Sequence, residues 1–181
     1  RKRAREVNLD TVDDVLLKAI LSGESITREE ALTLPAVSGA VDFISSTIAS
    51  MPVKLYREKN GKVEELARDG RVKMLNTDTG DTLDGYQMKK AVIEDYLLGK
   101  GGYIYIDKHG NEFKALKYIP DNYITTIRNP NPLNKFYTIM CYDKEFRPWD
   151  FIKILRNTKN GAEGVGLCEE VGKALETAYN M

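Results

Sequence analysis

The chain has 181 residues, 42% of them hydrophobic and 30% charged, a composition that suits a globular domain with one substantial core and excludes a disordered polypeptide. Its 27 Lys and Arg residues balance 27 Asp and Glu residues, so it lacks the basic excess of a protein that grips nucleic acid along many phosphates. Apolar runs fall far short of the roughly 20 residues a membrane span needs, and no signal-peptide pattern opens the chain.

The opening residues Arg1-Lys2-Arg3-Ala4-Arg5 read as a charged, solvated tail; contact with DNA or another acidic surface is the alternative. Leu9, Val12, Val15, Leu16, Ala19 and Ile20 then form a helical stripe that Gly23 ends, with Asp10 or Thr11 as its cap. Thr27 and Glu30 have the spacing of a capping box. A helix follows over Pro35–Ser50, with Pro35 at an early position and Pro52 forcing the exit. Its periodicity assigns Val37, Ala40, Val41, Ile44 and Ile48 to the core and Ser38, Asp42, Ser45 and Ser46 to the opposite face. Val53–Glu58 alternates as a half-buried strand, and Asn60-Gly61 turns it into a hairpin with Lys62–Leu66.

Asp81 and Thr82 precede a helix of about Leu83 to Leu98 with Leu83, Tyr86, Lys90, Ile93 and Leu97 on one stripe and Gly99 as its stop. From Tyr103 the texture turns to short strands: Tyr103–Asp107, Phe113–Tyr118, Tyr123–Arg128, Phe136–Tyr142 and Phe151–Arg156. Turn residues separate them, including Asn129-Pro130-Asn131-Pro132 and Asp143-Lys144-Glu145. Close spacing without intervening helices argues for antiparallel pairing. A last helix runs from Leu167 to Met181. The fold class is α+β: amphipathic helices with a β-hairpin plus an antiparallel β-meander.

Chemistry-bearing patterns are scarce. His109, the single histidine, falls in a turn and reads as a solvent-facing loop residue. Cys141 and Cys168 sit in different elements without a partner at metal-ligand spacing, as two reduced intracellular thiols do. Gly161–Gly166 is glycine-rich before a helix, yet it matches neither GxGxxG nor GxxxxGK[ST], and a flexible connecting loop is the reading. Gly99-Lys100-Gly101-Gly102 is a helix stop with a solvated lysine. The adjacent acids Glu94-Asp95 and Glu169-Glu170 diverge by about 100° on a helix and read as solvated faces or subunit contacts. Six of ten tyrosines fall in strands: Tyr103, Tyr105, Tyr118, Tyr123, Tyr137 and Tyr142. A base-stacking sheet is one reading of them; the interleaved isoleucines favour a sheet packed on both sides. No catalytic, cofactor-binding or metal-binding residue is assigned, and no cofactor is expected.

Residues 31–58, ALTLPAVSGAVDFISSTIASMPVKLYRE, closely resemble the signature segment of tailed-bacteriophage portal proteins of the lambdoid, siphovirus type. The resemblance continues in order over roughly 28–181. Asp69–Asn76 is similar to the family's segment carrying Leu-Leu-Asn, and Gly85–Leu98 to the long helix after it. Gly101–Ile106 resembles its Gly-Asn-aromatic strand start, and Leu116–Pro120 its Leu-x-x-Leu-x-Pro. Trp149–Arg156 resembles its Asp-Ile-x-His-x-Arg, and Gly164–Ala178 its glycine loop and helix. The chain departs at Gly102, where Asn is common, at Lys153, where His is common, and at Leu167-Cys168, where Ser-Pro is common.

The resemblance implies the N-terminal and wing portion of a portal subunit, with an N-terminal arm and helix over 1–26, a wing-like α+β domain over 27–166, and a helix over 167–181 leading toward the stem. It also implies a homo-oligomeric ring, a dodecamer in the common form, at one capsid vertex. DNA would be packaged and ejected through this ring. The partners would be the terminase large subunit, the head–tail connector, the major capsid or scaffold protein, and the double-stranded DNA in the tunnel, with no membrane. The location would be the virion, after synthesis in the bacterial host cytoplasm, and the subunit itself would not be an enzyme. DNA-contacting residues are left unassigned, since the family's tunnel and terminase contacts come mainly from parts expected beyond Met181. Two rivals are a single-stranded nucleic-acid-binding module using the tyrosine-rich sheet and a nucleotide-binding enzyme using Gly161–Gly166.

Overall fold

The computed structural model describes residues 27–110, 112–131 and 133–170. The helix expected around Leu9–Ile20 lies outside these residues, as does the helix after Leu167 beyond its first turn. Thr27 caps the short helix α1 (Arg28–Thr33), and Glu30 completes the reciprocal box by accepting from the Thr27 N–H at 3.1 Å. Leu34 both ends α1 and precedes α2 (Pro35–Ser50), which stops at an extended Met51 ahead of Pro52.

The limits of α2 are the expected ones, but its orientation is not. Val41, Ser45 and Ala49 form the buried row, while Ile44 and Ile48 stand more than a third exposed and Phe43 is 71% exposed. The physical reason is close helix packing. Small side chains at Ser45 and Ala49 let α2 approach the helix beneath it, which the isoleucines would hold off. The Ser45 hydroxyl donates to the Asp42 carbonyl at 3.2 Å, so its burial leaves no unpaired donor.

The hairpin β1 (Tyr56–Lys59) and β2 (Lys62–Glu65) turns at Asn60 (φ 54) and Gly61 (φ 72), the two left-handed residues of a type I′ turn. The strand expected from Val53 is shorter, because the Asn76 side chain takes both Val53 backbone groups. Asn76 Oδ1 accepts from the Val53 N–H and Asn76 Nδ2 donates to the Val53 carbonyl, each at 2.8 Å. Nor is the hairpin core: every residue of both strands is exposed.

Helix α3 (Gly70–Asn76) is capped by Asp69, whose carboxylate accepts from the Arg71 N–H at 2.9 Å. Helix α4 (Gly85–Leu98) begins two residues later than expected, at a box formed by Asp84 and Gln87 in place of Asp81 and Thr82. Its buried residues are Gly85, Met88, Val92, Ile93, Asp95 and Leu98. Of the predicted stripe, Tyr86 is exposed and Lys90 pairs with Asp42 at 2.6 Å. Helix α4 has two partners, α2 above and a sheet below, so its buried arc is wider than a one-sided amphipathic stripe.

The described residues form eight strands: the two of the hairpin and six in two three-stranded antiparallel sheets, where one meander was expected. The first has the order β4 (Glu112–Ile119), β3 (Gly102–His109), β8 (Phe151–Ile154), and the second β5 (Ile124–Arg128), β6 (Tyr137–Cys141), β7 (Lys144–Phe146). Strand β7 occupies part of the stretch expected as a turn. The β6–β7 reversal is instead made by Tyr142, at φ 53, and Asp143. Alternation on β3 divides the molecule into layers. Ile104 and Ile106 pack with Met88, Val92 and Leu116 against α4. Tyr103 and Tyr105 face the other way and join Ile124, Ile139 and Phe151 between the sheets.

Candidate functional site

One buried charged cluster ties three elements together. Asp95 on α4 is 0% exposed, and Arg28 of α1 donates to its Oδ1. The Tyr118 hydroxyl, on β4, donates to Oδ2 at 2.7 Å. Burial pushes the Asp95 carboxyl above its usual range, and Tyr118 and Arg28 pull it part of the way back. Burial opposes the Arg28 charge, but Asp95 outweighs it and holds the guanidinium above its ordinary value. Burial, then the Asp95 bond, pushes the Tyr118 phenol far up. With both carboxylate oxygens engaged, a permanent cation beside them and no exposure to solvent, the group acts as a structural pin. Adjacency to Glu94 suggested a solvated Asp95. Its place seven residues after Met88, on the same helical row as Val92, was the signal for burial.

The other sequence candidates do not converge. His109 is exposed at the end of β3, opposite Glu112. Cys141 and Cys168 are free and half-buried, in separate elements, and no metal-holding group of side chains occurs among the described residues. Glu170 accepts from Arg156 Nη1 at 2.6 Å and from Asn157 Nδ2. The 161–166 loop is packed rather than a loose connector: the Gly164 N–H donates to the Lys100 carbonyl at 2.9 Å and the Val165 N–H to the Arg156 carbonyl at 2.8 Å. A Cβ at Gly164 would lie 2.5 Å from the Lys100 oxygen, and one at Gly166 would strike the Leu98 and Gly99 carbonyls. These glycines serve close backbone approach.

Most of the strand tyrosines are engaged inside the fold. Tyr103 is 1% exposed, Tyr105 packs edge-on against Phe146, and Tyr137 lies under the Lys153 ammonium at 4.5 Å. Tyr123 and Tyr142 alone of the six are strongly exposed, and they stack on each other at 5.0 Å. No open tyrosine platform for bases results.

Two surfaces stand without cover from other described residues. The outer side of α2 carries Phe43, Ile44 and Ile48 and continues into Met51 and Val53, with Tyr56 and Val63 on the hairpin beyond. The second is a polar cleft of about 480 Å³ lined by the β5–β6 loop and residues 159–162. Among the described residues, no helix is long and apolar enough to cross a membrane.

The family model described as "Phage portal protein" matches residues 35–181. No curated protein matches the chain. Among solved structures, the chain is similar to the crystal structure of an HK97 family phage portal protein from Corynebacterium diphtheriae, with a TM-score of 0.54 and 18% identity. The likeness covers 86% of this chain and 47% of the other, so the chain spans about half the length of that protein. At this identity the likeness speaks for the fold.

Proposed function

Since the chain belongs to the phage portal protein family, we propose that it is the N-terminal and wing portion of a portal subunit. On this reading it assembles with copies of itself into a ring, a dodecamer in the common form, at one vertex of the capsid. DNA passes through the ring during packaging and ejection. The terminase large subunit, the head–tail connector and the capsid or scaffold protein dock on the assembled ring. Residues 27–166 form the wing domain, 1–26 an arm, and the helix from Leu167 leads toward the stem. The subunit is a structural protein of the virion and hydrolyses nothing itself.

The family match across 35–181 carries this reading. The uncovered apolar side of α2 supports it, since Phe43 and its neighbours suit contact with a further subunit better than water. So does the hairpin, because two strands exposed on both faces are marginal alone and gain stability from a surface to lie on. The buried tyrosines count against the rival single-stranded nucleic-acid module built on the sheet. The packed glycine loop likewise counts against the nucleotide-binding enzyme.

Negative-stain electron microscopy of the chain carried to its natural C-terminus, at physiological salt, tests the proposal. Rings with a central hole are expected, and their rotational symmetry gives the subunit number. Uniform monomers would remove the ring reading.

A further inference from the structure

The cleft beside the β5–β6 loop is rich in hydrogen-bond donors and cations, and the portal reading leaves it without a role. Arg128 ends β5, Lys135 lies in the loop, and Lys159 comes from the segment after β8; among the described residues no acidic side chain lines the cleft. Glu163 approaches Arg128 at 3.9 Å, so one of the three cations is partly balanced.

The asparagines add to this polarity. Asn129, Asn131 and Asn134 each use their side-chain oxygen to accept a backbone N–H two residues on, at 2.9, 3.0 and 3.1 Å. Asn160 does the same for the Ala162 and Glu163 N–H groups, at 2.8 and 3.0 Å. An oxygen committed to an N–H leaves the amide Nδ2 as the outward group, and no partner takes up these four Nδ2 donors among the described residues. Phe136, half exposed on the same wall, supplies an apolar ring face. Tyr137 fixes the two walls together by donating to the Gly161 carbonyl at 3.1 Å.

We propose that this cleft binds a phosphate ester with a ring attached: a nucleotide, free or within a nucleic-acid strand. Phosphate oxygens are acceptors only and suit a lining of guanidinium, ammonium and amide donors. The exposed Phe136 face suits a base, whose stacking does not depend on its identity. The volume falls within the range of small-ligand sites. In a chain with zero net charge, a local concentration of cations such as this cleft provides favours binding of such a group. The inference stands apart from ring assembly, and neither depends on the other.

The test is an amide-resolved NMR titration of the 181-residue chain with deoxyadenosine monophosphate, alongside fluorescence anisotropy with a labelled thymidine dodecamer and with a duplex of equal length. Shifts confined to residues 128–137 and 158–163 are expected. The anisotropy arms report whether a free nucleotide, a single strand or a duplex is the better source of the phosphate. The triple substitution R128Q/K135Q/K159Q should weaken strand binding at least about tenfold and flatten its salt dependence by about two in the log–log slope. Phe136→Ser should weaken binding roughly tenfold without changing that slope. Neutralising Lys59, Lys62 and Lys73, three exposed lysines elsewhere, should leave both unchanged. The proposal falls if the wild type shows no localised shifts, or if the triple variant binds like wild type. Inorganic phosphate or poly-glutamate competing as well as the nucleotide would also overturn it, since the ring would then contribute nothing.

Discussion

The inner helix α4 and the outer helix α2 lie one layer apart and are held by different means. Helix α4 is covered on both sides and tolerates a fully buried carboxylate, because Arg28 and Tyr118 meet both of its oxygens. Helix α2 is covered on one side only, along its own row of Val41, Ser45 and Ala49, and leaves its bulkiest apolar side chain, Phe43, in water. The difference separates two uses of hydrophobicity. Around α4, apolar area is consumed within the chain and fixes the fold. On α2 it is left over by the other described residues, and the proposed assembly would draw on it.

The sharpest way to break this comparison is to unpair the inner layer. Arg28→Met leaves the Asp95 carboxylate buried beside Tyr118 alone, and a loss of about 3–5 kcal/mol in urea unfolding is expected. A loss below about 1 kcal/mol, the level of an exposed pair, would mean that Asp95 reaches water without Arg28.

Alkaline pH probes the space between the sheets. Burial, reinforced by Glu163, pushes the Tyr103 phenol up to about 12. The unfolded phenol titrates near 10, so the associated stability is fully present below about pH 10 and is lost as pH rises toward 12. The decline in unfolding free energy expected from Tyr103 is about 2–3 kcal/mol for the full shift, beside that from the likewise raised Tyr118, and Tyr103→Phe should remove the Tyr103 share of the slope. An unchanged slope in the phenylalanine variant would assign it to other groups.

The outer layer should respond in the opposite sense. Phe43→Ser on α2 should alter unfolding of the isolated chain by no more than about 0.5 kcal/mol, as for other exposed positions. The same substitution should reduce assembly of the full-length protein in sedimentation velocity. A large stability loss would place Phe43 in the core and erase the contrast between the helices.

The smallest effect sits at the cap of α3, where the Arg71 side chain and N–H hold the Asp69 carboxyl at about 2. An NMR titration of Asp69 should show this value in the wild type and a return toward the ordinary carboxylate range in Arg71→Ala. An unmoved titration would leave the cap to the backbone N–H alone.

How much of this the sequence disclosed follows from how local each cause is. The ends of α2 were legible because Pro35 and Pro52 act on the residues beside them, and the hairpin turn because Asn60-Gly61 carries its own backbone preference. Which side of α2 would be buried was not legible. That choice rests on how closely two helices can approach, and it favours Ser45 and Ala49 over larger apolar neighbours. Val53 was read as strand because its alternation is correct, yet Asn76, far along the chain, decides its hydrogen bonds. The pin and the cleft were missed for the same reason. Arg28, Asp95 and Tyr118 come from three separate elements, and the cleft walls from two loops. The tracts around Asn129–Lys135 and Lys159–Asn160, dense in Asn and Lys, were the only local sign of the cleft.

Strand β3 is paired on both edges, with β4 immediately following it in the chain and with β8, which begins only at Phe151. During synthesis the β3–β4 hairpin can close as soon as Ile119 has emerged, but the second edge of Tyr103 waits for Lys153, its partner in the ladder. In that interval all of β5–β7 is made while an unpaired strand edge stands open beside an incomplete apolar layer, the state in which nascent chains are most prone to joining one another. Closure of this sheet, and with it the cover over the second edge of β3, therefore waits on its last short strand.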